Sequence, residues 1–188
     1  MHGASSLRVS LYEFRKGVET IGGNRVVYDL ARDEAFFGAA SVDGHALVWQ
    51  LDRNAAEAEG VLLSRDIQLD PFADWIVRCD RIDFPKGGVA YPHTHPGPGI
   101  RYLLTGDIAI KSEGRTSFYG PGAAWFENGD EPVYAAASSH IETSFVRVLL
   151  LPQEWEGKRT IRYVSAEDED RPKTQRATVF LEHKLVLR

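Results

Sequence analysis

Two histidines separated by a single residue, His93 and His95, are the side chains best suited to chemistry in this sequence. They lie in the stretch YPHTHPGPGIRYLLTG, where a proline-glycine turn follows them and a strand-like segment follows the turn. On an extended chain, residues i and i+2 point to the same face, so both imidazoles can reach one ion. Zinc and similar divalent metals take such nitrogen ligands at about 2.1 Å. Two imidazoles do not complete a metal site, so further ligands must come from elsewhere.

The elements that must position these histidines have the pattern of short strands. Runs of β-prone residues such as HALVWQL, WIVRCDRIDF and SFVRVLLL alternate with turns such as PKGG, SEGR and ENGDEP. Many short strands at this rhythm favour an antiparallel sandwich or a closed barrel. The best helical pattern covers residues 52–60, which are polar nearly all round, and we interpret it as a short surface helix or a linker.

Composition and charge exclude several classes of partner. The chain has 188 residues, of which 43% are hydrophobic and 26% charged, as in ordinary globular domains. Its formal net charge is -5 and it has no basic cluster interleaved with aromatics, so we expect no nucleic-acid partner and no membrane partner. The single cysteine, Cys79, cannot form an intrachain disulfide. We predict a buried structural thiol and a cytoplasmic location.

The histidine stretch resembles the first motif of the cupin family. That motif reads Gly, five residues, His-x-His, three or four residues, Glu, six residues, Gly, and Gly87, His93, His95 and Gly106 keep these spacings. The resemblance covers about residues 72–151. It implies an all-β fold, a cupin-like double-stranded β-helix (jelly-roll) barrel with an N-terminal β extension. We predict that residues 1–60 are the extension, packed on the barrel, and that residues 61–188 are the barrel with a C-terminal strand.

Two departures from the family pattern leave the ligand set open. The glutamate slot holds Gly99, and Val133 stands where the second motif of the family places its histidine. Glu127, at the end of the strand before that second turn, is the best candidate for a third ligand. With the two histidines it would make the two-His, one-carboxylate face that suits Fe, Mn or Zn with open positions. There are three alternatives. Glu127 could be a rim carboxylate, His140 could be the third ligand if its loop folds inward, or the site could have no third ligand.

Arg101 shares parity with Gly99, and the glutamate slot of the resembled family points into the barrel. Arg101 should therefore point inward as well, and a buried arginine needs a partner. Glu127 could be that partner, which would be a structural role. We favour the other interpretation, in which Arg101 holds a substrate carboxylate bidentately and Gly99 leaves space that admits the substrate.

The predicted function is that of a metal-dependent enzyme acting on a small organic substrate that is carboxylate-bearing or aromatic. The predicted metal ligands are His93, His95 and Glu127, and the predicted cofactor is a divalent transition metal: Fe, Mn, Ni or Zn. Glu127 and Arg101 are the predicted catalytic residues. Arg101 is also a predicted substrate-binding residue, together with Tyr91, Trp125 and Tyr134. An oxidoreductase of the dioxygenase type is one option, and a lyase or isomerase is another.

Two alternatives need no metal. The barrel could be a non-catalytic, small-molecule-binding cupin. It could also be a metal-free isomerase or epimerase that uses His93 or His95 as a general base. In every case we predict a homodimer, because open barrels expose strand edges that need covering.

Overall fold

The structure is a computed structural model that describes residues 5–53 and 60–186. The helical pattern at residues 52–60 falls mostly outside the described residues. The first five strands form one antiparallel sheet, the N-terminal sheet, with the spatial order β3-β2-β4-β1-β5. Its strands are β1 (Ser5–Phe14), β2 (Val18–Asp29), β3 (Glu34–Val42), β4 (Ala46–Asp52) and β5 (Val61–Leu69).

Ten further strands form two barrel sheets. In chain order they are β6 (Trp75–Phe84), β7 (Val89–Thr94), β8 (Gly99–Thr105), β9 (Ile108–Ser112), β10 (Arg115–Tyr119), β11 (Ala124–Glu127), β12 (Val133–Ala137), β13 (Thr143–Pro152), β14 (Arg162–Tyr163) and β15 (Arg176–Lys184). The first barrel sheet has the order β10-β9-β12-β7-β14, and the second has the order β11-β8-β13-β6-β15.

The pairing of β6 to β13 is that of a jelly roll. The outermost strands of this run, β6 and β13, pair with each other, and the next two inward, β7 and β12, pair in the opposite sheet. The same nesting continues with β8 beside β11 and β9 beside β10. Eight strands folded back on themselves in this way form the two-sheet jelly roll. The predicted all-β fold class is confirmed.

The second barrel sheet is buried on both faces, which explains its strand sequences. On β6, Val77 and Cys79 pack against the N-terminal sheet, whereas Arg78 and Asp80 point into the barrel. This alternation follows from the period of two along a strand. Trp49 of the N-terminal sheet also donates from Nε1 to the carbonyl oxygen of Ile100 at 3.3 Å. Cys79 is fully buried, as predicted.

A C-terminal segment crosses from the first barrel sheet to the second. It contains a 3-10 helix (Gln153–Trp155), β14 and the helix α1 (Ala166–Asp170). The Ser165 hydroxyl accepts from the amide of Asp168 and caps α1. Lys173 then donates to three backbone carbonyls of the same segment, which ties its side chain to the C-terminal end of α1. No helix in the described part of the chain is long and apolar enough to cross a membrane.

Candidate functional site

A cavity of about 430 Å³ lies between the two barrel sheets. Much of its wall is apolar, including Ile82, Phe84, Ile110, Val133, Phe145 and Val179. The charged part of the lining is mainly cationic: Arg78, Arg101, Arg147, Lys158, Arg159 and Lys173. Against these six cations stand two lining carboxylates, Asp80 and Glu127, while Arg78 and Arg159 also pair with Glu182 and Glu169 outside the lining. The cavity therefore suits a molecule with an apolar body and a negative charge.

A row of charged side chains crosses the floor of the cavity on three neighbouring strands. Arg147 on β13 lies directly opposite Arg101 on β8 and directly opposite Asp80 on β6. Two like charges in facing positions destabilise a sheet, so each arginine needs its own anion. Asp80 serves Arg147, accepting from its Nε at 2.6 Å and from its Nη2 at 3.1 Å. This bidentate pair leaves Asp80 no free charge for a ligand.

Arg101 is less completely satisfied. Its Nη2 lies 2.6 Å from Oε2 of Glu127, but the contact is not aligned as a hydrogen bond, so Nε and Nη2 have no hydrogen-bond partner in the described structure. Nη1 donates to the carbonyl oxygen of Gly99 at 2.6 Å. The residue is 0% exposed. Burial lowers the pKa of Arg101 to about 10, although Glu127 opposes the shift, so the guanidinium stays charged at neutral pH.

Nε and Nη2 together form the side of a guanidinium that binds a carboxylate in a bidentate pair. Arg147 uses the same two atoms to bind Asp80, and Arg8 uses them to bind Asp66 on the surface. In Arg101 this edge is buried in the cavity and not hydrogen-bonded. Glu127 only partly satisfies it, because Oε1 of Glu127 accepts from Nε1 of Trp125 at 2.8 Å.

His93 and His95 both reach the cavity, with ring centroids 4.9 Å apart and ring planes at 79°. Nδ1 of His93 donates to the carbonyl oxygen of Tyr91 at 2.7 Å, and Nδ1 of His95 donates to that of Thr160 at 3.1 Å. Each ring therefore presents the lone pair of its Nε2 to the cavity. In His95, Nε2 accepts a hydrogen bond from Nη1 of Arg147 at 3.3 Å. For His93, Nε2 makes no hydrogen bond to another described residue.

Both imidazoles are neutral at neutral pH. Burial lowers the pKa of His93, and the charges of Arg147 and Arg101 lower it further, against the carbonyl of Tyr91 and the carboxylate of Glu127. Burial also lowers the pKa of His95 well below 6.5, with Arg147, His93 and Arg101 adding to the effect. A neutral His93 with a free Nε2 is the form that can accept a proton from a bound molecule.

These two pKa shifts predict that the fold loses stability on acidification. A histidine whose pKa is lower in the folded state binds its proton more readily when unfolded, so stability is complete above pH 6.5 and falls as the pH drops below it. Below 6.5, and above the folded-state pKa, each histidine contributes a loss of about 1.4 kcal/mol per pH unit. Urea unfolding of protein kept in EDTA, at several pH values between about 7.5 and 5, measures this. The His95→Gln variant should show a shallower slope, and an unchanged slope would contradict the assignment.

The donor set does not form a complete metal site. No three His, Cys, Asp or Glu side chains of the described residues are grouped so that they could hold a metal ion. Oε2 of Glu127 is 4.0 Å from Nε2 of His95, and both Glu127 oxygens are engaged by Arg101 and Trp125. The guanidinium of Arg147 also occupies the lone pair of His95. The three predicted ligands are thus brought into one cavity, but Glu127 and His95 are already paired with other side chains of the protein.

The structure does not bring Tyr91 and Tyr134 to the cavity. Val133 and Ala135 of β12 line it, and alternation along the strand turns Tyr134 to the outer face, where it shares a groove with Tyr91. Trp125 is buried and touches the site through Glu127, while its ring packs on Phe145 in the barrel core.

Two further expectations for the site fail for steric or positional reasons. Gly99 leaves no room for a substrate, because a Cβ there would lie 2.2 Å from the carbonyl oxygen of Val148 on the neighbouring strand. Glycine at this position allows the close approach of β8 and β13. His140 is exposed in its turn and is not part of the cavity lining.

Sequence reasoning missed Arg147 and Asp80, and a signal for them existed. Arg147 is the one charged residue in the apolar run SFVRVLLLP, and Asp80 lies in the alternating strand WIVRCDRIDF. A charge inside a strand that is otherwise buried needs a partner, so the two strands could have been matched by their charges. The lining residues of the C-terminal segment, such as Gln175, gave no comparable signal.

Comparisons with known proteins give a weak likeness to solved structures only. No protein family model matches the chain, and no curated protein matches it. An RmlC-like cupin from Shewanella frigidimarina is 18% identical over 42% of this chain and 68% of its own, with a TM-score of 0.38. The polyketide cyclase RemF from Streptomyces resistomycificus is 24% identical over 53% and 67%, with a TM-score of 0.40. A Cupin 2 conserved barrel domain protein from Leptotrichia buccalis is 13% identical over 76% and 73%, with a TM-score of 0.37.

At these low scores the fold assignment rests on the strand order of the two barrel sheets and on the histidine motif that β7 carries into the cavity. On those grounds this chain is an all-β protein with a cupin-like, double-stranded β-helix barrel.

Proposed function

We propose that the barrel binds a small organic acid with an apolar body, and that Arg101 holds the carboxylate of this acid. One observation carries the proposal: Arg101 is completely buried in a cavity, yet Nε of its carboxylate-binding edge has no partner and Nη2 meets only Oε2 of Glu127, at 2.6 Å and not aligned as a hydrogen bond. Buried polar groups are nearly always hydrogen-bonded in folded proteins, and an exception calls for a partner from outside the chain, which is an ordered water, an ion or a ligand. The excess of cations in the lining supports the same sign of charge for the ligand.

We further propose that His93 acts on the bound acid as a general base, without a metal. Its Nδ1 is fixed by the carbonyl of Tyr91, so Nε2 is the atom that would accept a proton from the ligand. The carboxylate of Glu127 favours the imidazolium that this transfer forms. Proton transfer of this kind serves isomerisation, epimerisation and elimination. His95 differs because Arg147 occupies its Nε2, so its role is to position the charged row.

The proposal predicts that carboxylates bind and that their neutral counterparts do not. We expect the wild-type protein to bind benzoate, 3-phenylpropanoate or 2-naphthoate at least about tenfold more tightly than the corresponding primary amide, because a charge-assisted bidentate pair contributes about 1.5–3 kcal/mol. Isothermal titration calorimetry in EDTA measures both affinities. The Arg115→Met variant, which removes an exposed arginine of β10 outside this cavity, serves as the control for non-specific charge effects. Equal affinities for acids and amides across the series would overturn the proposal.

A second candidate function is the metal-dependent enzyme, of the dioxygenase, lyase or isomerase type, that the histidine motif predicts. One observation favours it: both histidines donate from Nδ1 to a backbone carbonyl, the arrangement that orients a histidine ligand toward a metal through Nε2. The position of Arg147 on the lone pair of His95 speaks against it, because a divalent cation would have to displace a buried cation.

Metal analysis separates the two candidates. Protein purified without a histidine tag and then supplied with Fe(II), Mn(II), Ni(II) and Zn(II) should carry only substoichiometric metal, and EDTA should leave acid binding unchanged. Elemental analysis after desalting measures the metal content. Near-stoichiometric metal that disappears in the double variant His93→Ala, His95→Ala would instead support the metal-dependent enzyme.

The homodimer and the cytoplasmic location remain predictions. β3 and β5 are the two outer strands of the N-terminal sheet. The ring of Phe37 on β3 stacks on His183 of β15, so that side of the sheet packs on the barrel of the same chain. β5 has no further strand beside it in the described chain, and it is the edge at which we propose that the second copy pairs.

A further inference from the structure

We infer that the ligand carries a hydrogen-bond donor, such as a hydroxyl group, at the end away from its carboxylate, and that Oε1 of Gln175 accepts a hydrogen bond from this donor. The inference rests on the proposed binding of an organic acid and specifies that acid further. It starts from the buried side-chain atoms without a hydrogen-bond partner: in residues 5–53 and 60–186 these are Nε and Nη2 of Arg101 and Oε1 of Gln175. Both residues line the same cavity.

The two unsatisfied groups have opposite chemistry. The nitrogens of Arg101 are donors that call for an acceptor, whereas Oε1 of Gln175 is an acceptor that calls for a donor. A single molecule with a carboxylate and a hydroxyl or N–H group would satisfy all three atoms. A plain hydrophobic acid would leave Oε1 of Gln175 buried and unpaired, which costs free energy.

The fold keeps the two groups apart. Arg101 belongs to β8, and Gln175 immediately precedes β15 at the edge of the same sheet, with β13 and β6 between these strands. At about 4.8 Å per strand, three strand steps span about 14 Å across the curved sheet. The β15 residue in the same row as Arg101 is Val179, so Gln175 is also displaced by four positions along the strands. Apolar side chains, among them Ile82 and Phe145, line the cavity as well. The ligand that fits therefore has polar groups at its two ends and an apolar middle.

In the described structure the Gln175 amide makes one hydrogen bond. Its Nε2 donates to the hydroxyl oxygen of Tyr163 at 3.1 Å. The Tyr163 ring is held in turn by Arg159 and Lys173, whose cationic groups lie 5.4 Å and 4.3 Å from its centroid. With Nε2 engaged by Tyr163, Oε1 is the atom that remains for a ligand.

The experiment uses sets of acids that differ only in the distal group. Each set contains an unsubstituted acid, its hydroxy derivative and its fluoro derivative: benzoate with 4-hydroxybenzoate and 4-fluorobenzoate, 3-phenylpropanoate with its 4-hydroxy and 4-fluoro forms, and 2-naphthoate with its 6-hydroxy and 6-fluoro forms. Fluorine has nearly the size of a hydroxyl group but donates no hydrogen bond. Calorimetry gives the ratio of affinities within each set, for the wild-type protein and for Gln175→Met.

In at least one set we expect the hydroxy acid to bind wild-type protein about tenfold more tightly than both partners, since one buried hydrogen bond is worth about that factor. In Gln175→Met the ratio should fall to about one, while the unsubstituted acid binds at least as tightly as it binds wild-type protein, because methionine leaves no buried acceptor without a partner. The matched control Gln68→Met, at an exposed position of β5, should keep the wild-type ratio.

Two results would overturn the inference while leaving acid binding in place: hydroxy acids that bind no better than their partners in every set, or a preference for hydroxy acids that persists in Gln175→Met. If wild-type protein binds none of these acids, the proposed function itself fails and the inference fails with it.

Discussion

Replacing Arg101 with methionine is expected to abolish carboxylate binding and to destabilise the fold at the same time. Removing one partner of a buried, hydrogen-bonded charge pair costs about 2–5 kcal/mol of binding free energy, which is a loss of affinity of about 30-fold to several thousand-fold. In the free protein the variant leaves the Glu127 carboxylate buried without its cation. We expect that to lower the free energy of unfolding by about 3–5 kcal/mol. Calorimetry with 2-naphthoate and urea unfolding measure the two effects.

A double variant separates binding from stability. Arg101→Met combined with Glu127→Gln removes both charges, so we expect most of the lost stability to return while carboxylate binding stays absent. Glu127→Gln alone frees Arg101 from its anion and should tighten carboxylate binding by several-fold. If the double variant bound carboxylates with wild-type affinity, the role of Arg101 would be to pair with Glu127 and not to bind a ligand.

Replacing Asp80 with asparagine should cause the largest loss of stability that a near-isosteric change can produce in this barrel. Asp80 is 1% exposed and binds Arg147 through two hydrogen bonds. Without its charge, Arg147 and Arg101 face each other across β8 and β13, and Glu127 is the one carboxylate left in the cavity lining. We expect the free energy of unfolding to fall by about 3–5 kcal/mol, measured as a lower urea midpoint with an unchanged m-value.

The same strand provides a matched control for Asp80. Asp83 also pairs with an arginine, Arg81, but this pair is about one-third exposed and lies on the other face of β6. Asp83→Asn should therefore cost less than about 1 kcal/mol, as exposed ion pairs do. A loss in Asp80→Asn no greater than that in Asp83→Asn would contradict the importance of the buried charge row.

Part of the site followed from the sequence because strand periodicity is a local property. The spacing of His93 and His95 sets both rings on one face of β7, and the structure places both in the cavity. The shared parity of Gly99 and Arg101 likewise predicts an inward arginine, and Arg101 lines the cavity. The all-β fold followed from the many short strands separated by glycine and proline turns.

The rest depended on which strands are neighbours, and a single sequence does not show this. Arg147 and Asp80 are 67 positions apart in the chain and meet because β13 pairs with β6. The role of Gly99 depends on how closely β13 approaches, and that distance is set by packing across strands. Whether Glu127 binds a metal or an arginine likewise depends on the register of β11 against β8, which brings Trp125 opposite Arg101.

The burial of the second barrel sheet on both faces limits how this protein can change. Along β6, residues that seal the two layers together alternate with residues that define the chemistry of the cavity. Inserting or deleting one residue in β6 would exchange the two sets. Arg78 and Asp80 would move into the apolar core between this sheet and the N-terminal sheet, and Val77 and Cys79 would move into the cavity. New ligand preferences can thus arise on this strand by substitution, whereas changes of length are confined to the connecting turns.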